Sequence, residues 1–194
     1  MNSIVRNLTV VSDVPSIAFR SAMRSLAGGV SVITVGRGKD ITGMTVTSVS
    51  SLSVDPPTLI VSVNRQSSSW PLLQRYGAFG VNILSADQLD IAERFSGKDG
   101  LKGAARFSGA QWLTRATGVP LLAGALAAID CEVEEVIERH SHAIVIGRVR
   151  EVVNAVPHTA LTYWDGQYVA IDQNEDNIKL AEVSLPTPRA LREI

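Results

Sequence analysis

Hydrophobic positions change their spacing along this chain, and the change predicts where a helix gives way to strands. Over residues 19–26 the apolar side chains recur three and four positions apart, as on one face of a helix, and Pro15 suits its first turn. Gly28 and Gly29 mark the predicted end of this helix. From residue 30 the period becomes two, and the β-branched run 30–35 predicts a strand.

Further strands and one well-marked helix follow. Ser85 and Gln88 have the spacing of a capping box, which predicts a helix that runs to about Phe95. The dipeptide Asp165-Gly166 separates two β-prone runs and predicts a two-residue hairpin turn. The other alternating or β-branched segments predict strands over 43–54, 58–63, 78–84, 127–138, 142–153, 161–164 and 167–171. Many strands, few helices and hairpin turns favour a closed antiparallel barrel.

The chain divides into one predicted domain with an extension at each end. Its 194 residues suffice for a single domain with a substantial core. We expect a loose N-terminal arm over 1–12, the folded domain over 13–172, and a charged tail or peripheral helix over 173–194. Residues 96–120 are rich in glycine and polar residues, and so long a connection is typically functional or contains short strands.

Composition and charge narrow the classes of protein. The formal net charge of −1 gives no support to binding of nucleic acid or of an anionic membrane. Cys131 is the only cysteine, which excludes an internal disulfide and a cysteine-rich metal cage. The first residues lack the features of a secretory signal, and no apolar run approaches the roughly 18 residues of a membrane span. We therefore expect a cytoplasmic protein.

Two patches rich in hydroxyl groups, one strand apart, are the most informative chemical feature. The first, 43–57, is a strand-like run almost free of charge that ends in a double proline. The second, 64–70, places Arg65 and three consecutive serines just before a predicted short helix. Hydroxyls, free helical N–H groups and a guanidinium together suit a phosphate, so the pair indicates a mononucleotide site. Taken singly, the patches also suit an ordinary strand and an ordinary helix cap, and these alternatives stay open.

Other chemically active residue types give weaker signals. His140 and His142 lie on the same face of a predicted strand, but a metal site would need further ligands, so a surface histidine or one beside a cofactor pocket fits better. Tyr163, Trp164 and Tyr168 flank the predicted hairpin turn and suit packing as well as stacking on a ring. The chain lacks a complete dinucleotide fingerprint, a Walker-type phosphate loop and the common hydrolase motifs.

Taken in order, these segments resemble the flavin reductase family, the FMN-binding split barrels that serve as reductase components of two-component monooxygenases. The resemblance covers about residues 17–171, and its pieces are 29–34, 43–46, Ser48, 55–57, 64–65, 67–69, 77–79, 81–84, 95–98, 106–107, Trp112, 118–122, 130–133, His142 and 163–168. Each piece is weak alone, but the ordered set is specific. The resemblance implies a mainly β fold, an antiparallel Greek-key split β-barrel with a few short flanking α-helices, assembled as a homodimer.

The resemblance also implies roles for individual residues. The segment 45–48 is expected to meet the ring of FMN or FAD, 62–64 to flank the ring and ribityl chain, and Arg65 with 67–69 to hold the phosphate. His142 is the expected catalytic residue, on the side of the nicotinamide. The expected cofactor contacts are Thr45, Val46, Thr47, Ser48, Ser51, Ser62, Val63, Asn64, Arg65, Ser67, Ser68, Ser69, His142, Tyr163 and Tyr168. The chain departs from the family at Thr47, where asparagine is common, and before His142, where a Gly-Asp pair is frequent.

The activity implied is that of an NAD(P)H:flavin oxidoreductase, in which NADH or NADPH reduces the flavin for a separate oxygenase component. The cofactors supply the chemistry in such a reaction, and no general base is needed, which agrees with the lack of an acid–base constellation. Two alternatives remain. One is a non-enzymatic flavin carrier or sensor with the same barrel, and the other is an oxidase of the pyridoxamine-phosphate type, which would need basic residues over its substrate phosphate.

Overall fold

Antiparallel pairing organises this protein, which we describe from a computed structural model of residues 13–155 and 159–172. The strands are β1 (Gly28–Gly29), β2 (Ser31–Arg37), β3 (Asp40–Val46), β4 (Ser50–Val54), β5 (Pro57–Asn64), β6 (Ala78–Ile83), β7 (Trp112–Thr114), β8 (Pro120–Leu122), β9 (Ala127–Arg139), β10 (His142–Asn154), β11 (Ala160–Trp164) and β12 (Gln167–Ile171). The helices are α1 (Ser16–Arg24), α2 (Trp70–Tyr76) and α3 (Leu89–Ser96), with 3₁₀ turns at Ala86–Gln88 and Gly103–Phe107.

Seven strands form the main sheet, in the order β3-β2-β6-β9-β10-β5-β4. A three-stranded sheet, β1-β11-β12, and the pair β7-β8 complete the β structure of the described residues. Every pairing is antiparallel, which confirms the predicted mainly β architecture with few helices. Among the described residues, the edge strands β3 and β4 do not pair with each other, so hydrogen bonds do not close the main sheet.

Two hairpins join neighbouring strands, and the one at Asp165-Gly166 was predicted from its turn residues. The strands β9 and β10 are 13 residues each and connect through His140-Ser141, with His140 at a positive φ of 51°. The strands β11 and β12 connect through Asp165-Gly166, and both turn residues have positive φ, as a type I′ turn requires. The register of β11–β12 is constant from its turn onward, whereas irregularities shift the register of β9–β10 between Ile146 and Gly147 and between Val149 and Glu151.

The core lies on both faces of the main sheet because β2 is buried along almost its whole length. Alternation along this strand sends Val32 into one apolar cluster and Ile33 into the other. The first cluster includes buried residues of α3 and β8. The second includes buried residues of α2 and the ring of Phe79 on β6. Gly147 allows the Phe79 ring to approach β10, since a Cβ there would lie 2.4 Å from a ring carbon. The buried Cys131 belongs to the second cluster, and burial raises its pKa to about 12.

The long glycine-rich connection contains short elements, as predicted. It includes the second 3₁₀ turn and the strands β7 and β8. Phe107 and Trp112 pack on Phe95 of α3, with ring centroids 5.1 Å and 5.6 Å from it. Arg106 donates to the carbonyl oxygens of Gly43 at 2.5 Å and Leu101 at 2.8 Å, which joins this segment to β3.

The first helix differs from its prediction at both its end and its surroundings. It ends at Arg24, and Gly28 and Gly29 form β1, paired with Thr162 and Tyr163, because extended glycines can complete the edge of the β11–β12 sheet. None of its residues is buried. The predicted arm over 1–12 and the predicted tail over 173–194 lie outside the described residues. None of the helices in 13–155 and 159–172 is long and apolar enough to cross a membrane.

Candidate functional site

A cavity of about 960 Å³ lies between the end of β3, helix α3 and the β11–β12 hairpin. Five residues predicted as cofactor contacts line it: Thr45, Val46, Thr47, Tyr163 and Tyr168. The other lining residues are Val30, Leu89, Glu93, Ser96, Gly97, Lys98, Gly166 and Gln167. Its wall is thus made of small backbone-exposing residues on one side and aromatic rings on the other.

Three independent contacts hold the wall of this cavity in place. Thr45 Oγ1 donates a 2.6 Å hydrogen bond to the carbonyl oxygen of Ala92, which ties β3 to α3. The rings of Tyr163 and Tyr168 make an edge-to-face contact across the β11–β12 pair, with centroids 5.1 Å apart and planes at 67°. Because β11 also pairs with β1, the aromatic side of the cavity is connected to the chain just before β2.

Charged groups line one part of the cavity. Lys98 Nζ donates to Glu93 Oε1 at 2.9 Å, and the hydrogen bond and charge of Glu93 raise the pKa of Lys98. Burial raises the pKa of Tyr168, and its neighbours Tyr163 and Glu93 raise it further, while Lys98 lowers it. Tyr168 therefore presents a protonated phenol beside an ammonium–carboxylate pair.

A second group of predicted contacts lies where β5 runs beside the segment that joins β3 to β4. Ser48 Oγ donates to the carbonyl oxygen of Ser62 at 3.1 Å and accepts from its N–H at 3.3 Å. Val63 points into the core, so its side chain faces away from any ligand and only its backbone is available there. Ser51 is exposed on β4 opposite Leu59, outside the lining of the 960 Å³ cavity.

The serine turn, which we define as residues 67–69, comes directly before α2. The hydroxyl oxygens of Ser67 and Ser69 are buried and have no hydrogen-bond partner among the described residues, whereas Ser68 is exposed. A buried hydroxyl without a partner carries a free-energy cost, which a ligand that accepts a hydrogen bond there would remove. Ser69 occupies the N-cap of α2, and its side chain forms no capping hydrogen bond.

Arg65 lies beside the serine turn but has protein partners. Its guanidinium forms an ion pair with Glu138, with Nη2 2.7 Å from Oε2, and donates to the carbonyl oxygen of His140 at 3.2 Å. Its backbone N–H donates to the carbonyl oxygen of Ser141. The β9–β10 turn therefore holds this arginine, and a bound phosphate would have to compete with Glu138.

His142 lies with this second group. It pairs with Asn64 across β10 and β5, is exposed, and has its Nδ1 2.9 Å from Ser141 Oγ. It is not among the described residues that line the 960 Å³ cavity with Tyr163 and Tyr168. The structure thus brings the predicted contacts together in two groups, one along the cavity and one at the β9–β10 turn, which adjoin where Thr47 is followed by Ser48.

Glu93, Ser96 and Lys98 were not predicted as site residues, although they line the cavity. The sequence carried a partial signal, because 95–98 is one of the segments that resemble the flavin reductase family. The capping box also located the helix on which Glu93 lies. Only the packing of α3 against β3 shows that these polar groups face the cavity.

A second cavity of about 510 Å³ adjoins the first. Its lining includes Arg20, Met23 and Arg24 of α1, together with Thr47 and Tyr163. The hairpin turn at Asp165 holds α1 there, since its N–H donates to the Arg24 carbonyl oxygen at 3.0 Å and Arg24 returns a hydrogen bond to the Asp165 carbonyl oxygen at 2.9 Å. Thr47 and Tyr163 thus separate two cavities.

Comparison with known proteins gives a consistent result. A family model described as "Flavin reductase like domain" matches residues 23–172. The FMN reductase (NADH) RutF of Cronobacter turicensis is 35% identical over 156 residues, which cover 80% of this chain and 93% of that protein.

Solved structures agree with the sequence comparison. BorF, the flavin reductase component of a bacterial two-component tryptophan halogenase, superimposes with a TM-score of 0.76 at 32% identity and covers 82% of this chain and 99% of its own. The styrene monooxygenase flavin reductase of Pseudomonas putida gives a TM-score of 0.69 at 31% identity, with 78% and 96% covered. The resemblance predicted from the ordered segments is confirmed, and this chain belongs to the flavin reductase-like domain family.

Proposed function

We propose that this protein is an NAD(P)H-dependent flavin reductase that uses FMN or FAD and supplies reduced flavin to a separate oxygenase component. The relatives that support this function are an NADH-dependent FMN reductase and the reductase components of a halogenase and a styrene monooxygenase. The observation that carries the proposal is a ring-sized cavity lined by five of the predicted cofactor contacts, together with two buried hydroxyl oxygens of the serine turn that have no partner among the described residues.

The cavity fits the ring system of a flavin. Its volume of about 960 Å³ leaves room for a second aromatic ring beside the first. The small residues 45–47 allow a flat ligand to approach the backbone, whose N–H groups are suited to stabilise negative charge on a reduced ring. Tyr163 and Tyr168 provide an apolar wall for stacking.

The serine turn fits the flavin phosphate. Phosphate oxygens are strong acceptors, so the hydroxyls of Ser67 and Ser69 would gain the partners that they lack in the described chain. Arg65 would add a charge-assisted bond by exchanging its Glu138 partner for the phosphate, because a half-exposed ion pair is weak. Ser48 follows the cavity residue Thr47 and bonds to Ser62, and Asn64 ends β5 just before the serine turn, so the ribityl chain would run along these residues.

When bound, the flavin and the nicotinamide would supply the hydride-transfer chemistry themselves. The chain would hold the two rings in contact, exclude water with the apolar residues of the cavity, and direct backbone dipoles at the ring edge. We assign His142 to the approach of the nicotinamide. Its Nδ1 is bonded to Ser141 Oγ, and its exposed position at the start of β10 leaves the rest of the imidazole accessible to a ligand that enters from solvent.

We further propose that the protein is a cytoplasmic homodimer in which the sheets complete a Greek-key split barrel. Exposed apolar side chains on α1 and on the edge strand β4 support self-association, since large exposed apolar surfaces typically mark interfaces. They include Ile17 and Phe19 of α1 and Leu52 and Val54 of β4.

Anaerobic mixing of the FMN-loaded protein with NADH and, separately, with NADPH tests the activity. We expect rapid bleaching of the flavin absorbance with at least one of the two nucleotides. Persistent absorbance with both, despite measurable FMN binding, would identify a non-enzymatic flavin carrier or sensor.

Two variants test the assignment of roles within the site. Arg65→Ala should weaken binding of FMN more than that of riboflavin, which lacks the phosphate, and equal losses would remove Arg65 from the phosphate site. His142→Ala should lower the rate of flavin reduction with little change in flavin affinity. A large rise in the flavin Kd with a normal reduction rate would contradict that assignment.

A further inference from the structure

The proposed function leaves one charged group of the cavity without a role. Lys98 is the one lysine or arginine among the described residues that line the 960 Å³ cavity, and Glu93 is the one carboxylate. The flavin phosphate is already accounted for at the serine turn, none of whose residues lines this cavity. An anion at Lys98 would therefore belong to a different phosphate.

The end of helix α3 fixes the position of the Lys98 backbone. Helix α3 ends at Gly97, which adopts a left-handed conformation, and Lys98 follows at once. The N–H of Lys98 donates to Ser96 Oγ at 3.3 Å, and the bond from Thr45 to Ala92 ties the same helix to the proposed ring site. The backbone of Lys98 thus has a defined place on the rim of the cavity.

The ion pair with Glu93 keeps this ammonium charged and accessible. Its Nζ lies 2.9 Å from Glu93 Oε1, and the side chains of Lys98 and Glu93 are 70% and 38% exposed. An exposed pair of this kind is weak, so separating it costs little. A diphosphate carries more negative charge than one carboxylate and forms charge-assisted bonds, so it would displace Glu93.

We propose that Lys98 binds the diphosphate of the nicotinamide dinucleotide, while the nicotinamide ring lies between the flavin and the rings of Tyr163 and Tyr168. Glu93 holds the ammonium in place before the dinucleotide arrives and competes with it for Lys98. This inference rests on the proposed reductase function, because it takes the dinucleotide to be the second ligand of the cavity.

The test compares two donors that share a dihydronicotinamide ring, NADH and dihydronicotinamide riboside, of which the second has no phosphate. Their Kd values are measured by titration of the FMN-loaded protein with the oxidised form of each, NAD⁺ and nicotinamide riboside, and their KM values with the reduced forms. We expect Lys98→Ala to raise the Kd and KM of the dinucleotide about tenfold, the usual size for loss of one charge-assisted bond. The values for the riboside should change less than twofold.

Three matched variants complete the test. Lys98→Arg should restore most of the dinucleotide affinity, and Lys102→Ala, which removes a nearby exposed lysine outside the cavity, should change neither ligand. Glu93→Gln removes the competing carboxylate and should lower the Kd of the dinucleotide. Unchanged dinucleotide binding in Lys98→Ala, or equal losses for dinucleotide and riboside, would overturn the proposal.

A diphosphate is also present in FAD, and the use of FMN as the flavin removes that source. Lys98→Ala should leave the ratio of FAD to FMN affinity unchanged. A selective loss of FAD binding with intact dinucleotide binding would assign Lys98 to the flavin and overturn the proposal. Failure of the reductase function itself is separate, because it would appear as wild-type protein that binds the dinucleotide without bleaching FMN.

Discussion

Helices α1 and α3 have similar amphipathic sequences and opposite surroundings. Both carry apolar residues at helical spacing and both end at a basic residue or close to one. Yet Ile91, Ala92 and Phe95 of α3 are buried, whereas none of the residues of α1 is buried. On α1, Ile17 and Phe19 are 76% and 61% exposed. Periodicity therefore predicts that a helix has an apolar face, but not what covers that face.

The difference between the helices follows from their places along the chain. Helix α3 is preceded by a capping box and comes between β6 and the aromatic residues Phe107 and Trp112, which close over it. Helix α1 comes before the first strand and is held by its last residue, Arg24, against the β11–β12 turn. Helix α3 lines the 960 Å³ cavity, and α1 lines the 510 Å³ cavity beside it. Both helices therefore border Thr47 and Tyr163 of the proposed site.

The largest expected effect is at Phe95. Phe95→Ala removes a ring that is 1% exposed and packed against two other aromatic rings, which should lower the free energy of unfolding by about 3–5 kcal/mol. Urea denaturation followed by circular dichroism measures this loss. A decrease below 1 kcal/mol would show that α3 is not anchored by its apolar face.

An intermediate effect is expected at Phe19, and it should appear in self-association. Phe19→Asp places a charge on the exposed face of α1, which should cost about 1.5–3 kcal/mol of association if a second copy covers that face. Sedimentation of wild-type and variant protein over a range of concentrations measures the dimer dissociation constant, which should rise at least tenfold. An unchanged dimer dissociation constant would show that α1 is not part of the interface, so that its apolar face, unlike that of α3, would remain uncovered.

The smallest effect is expected where α3 meets β3. Thr45→Val keeps the side-chain shape but removes the donor to Ala92, which should cost about 1 kcal/mol of unfolding free energy. Thr47→Val is the matched control, since Thr47 is exposed and has no hydrogen bond from its hydroxyl among the described contacts. The same denaturation assay compares them, and equal losses would contradict a specific role for the Thr45–Ala92 bond.

Several features of the fold could be predicted from the sequence because they depend on neighbouring residues. The Asp165-Gly166 turn, the capping box at Ser85 and the strand period of 30–35 each involve contacts within a few positions, and each is present. The end of α1 was wrong for the opposite reason. Gly28 and Gly29 suit a helix end locally, but pairing with β11 recruits them as a strand.

The proposed site divides in the same way. The sequence by itself determined the hydroxyl-rich runs and the aromatic pair around the hairpin turn, since these are properties of residue type and spacing. Only the tertiary structure decided that Tyr163, Tyr168 and Thr45 line the same cavity, with Lys98 on its rim. The ion pair between Arg65 and Glu138 likewise depends on the tertiary structure. Those contacts join residues far apart in the chain, so they exist only once the sheets and α3 have packed.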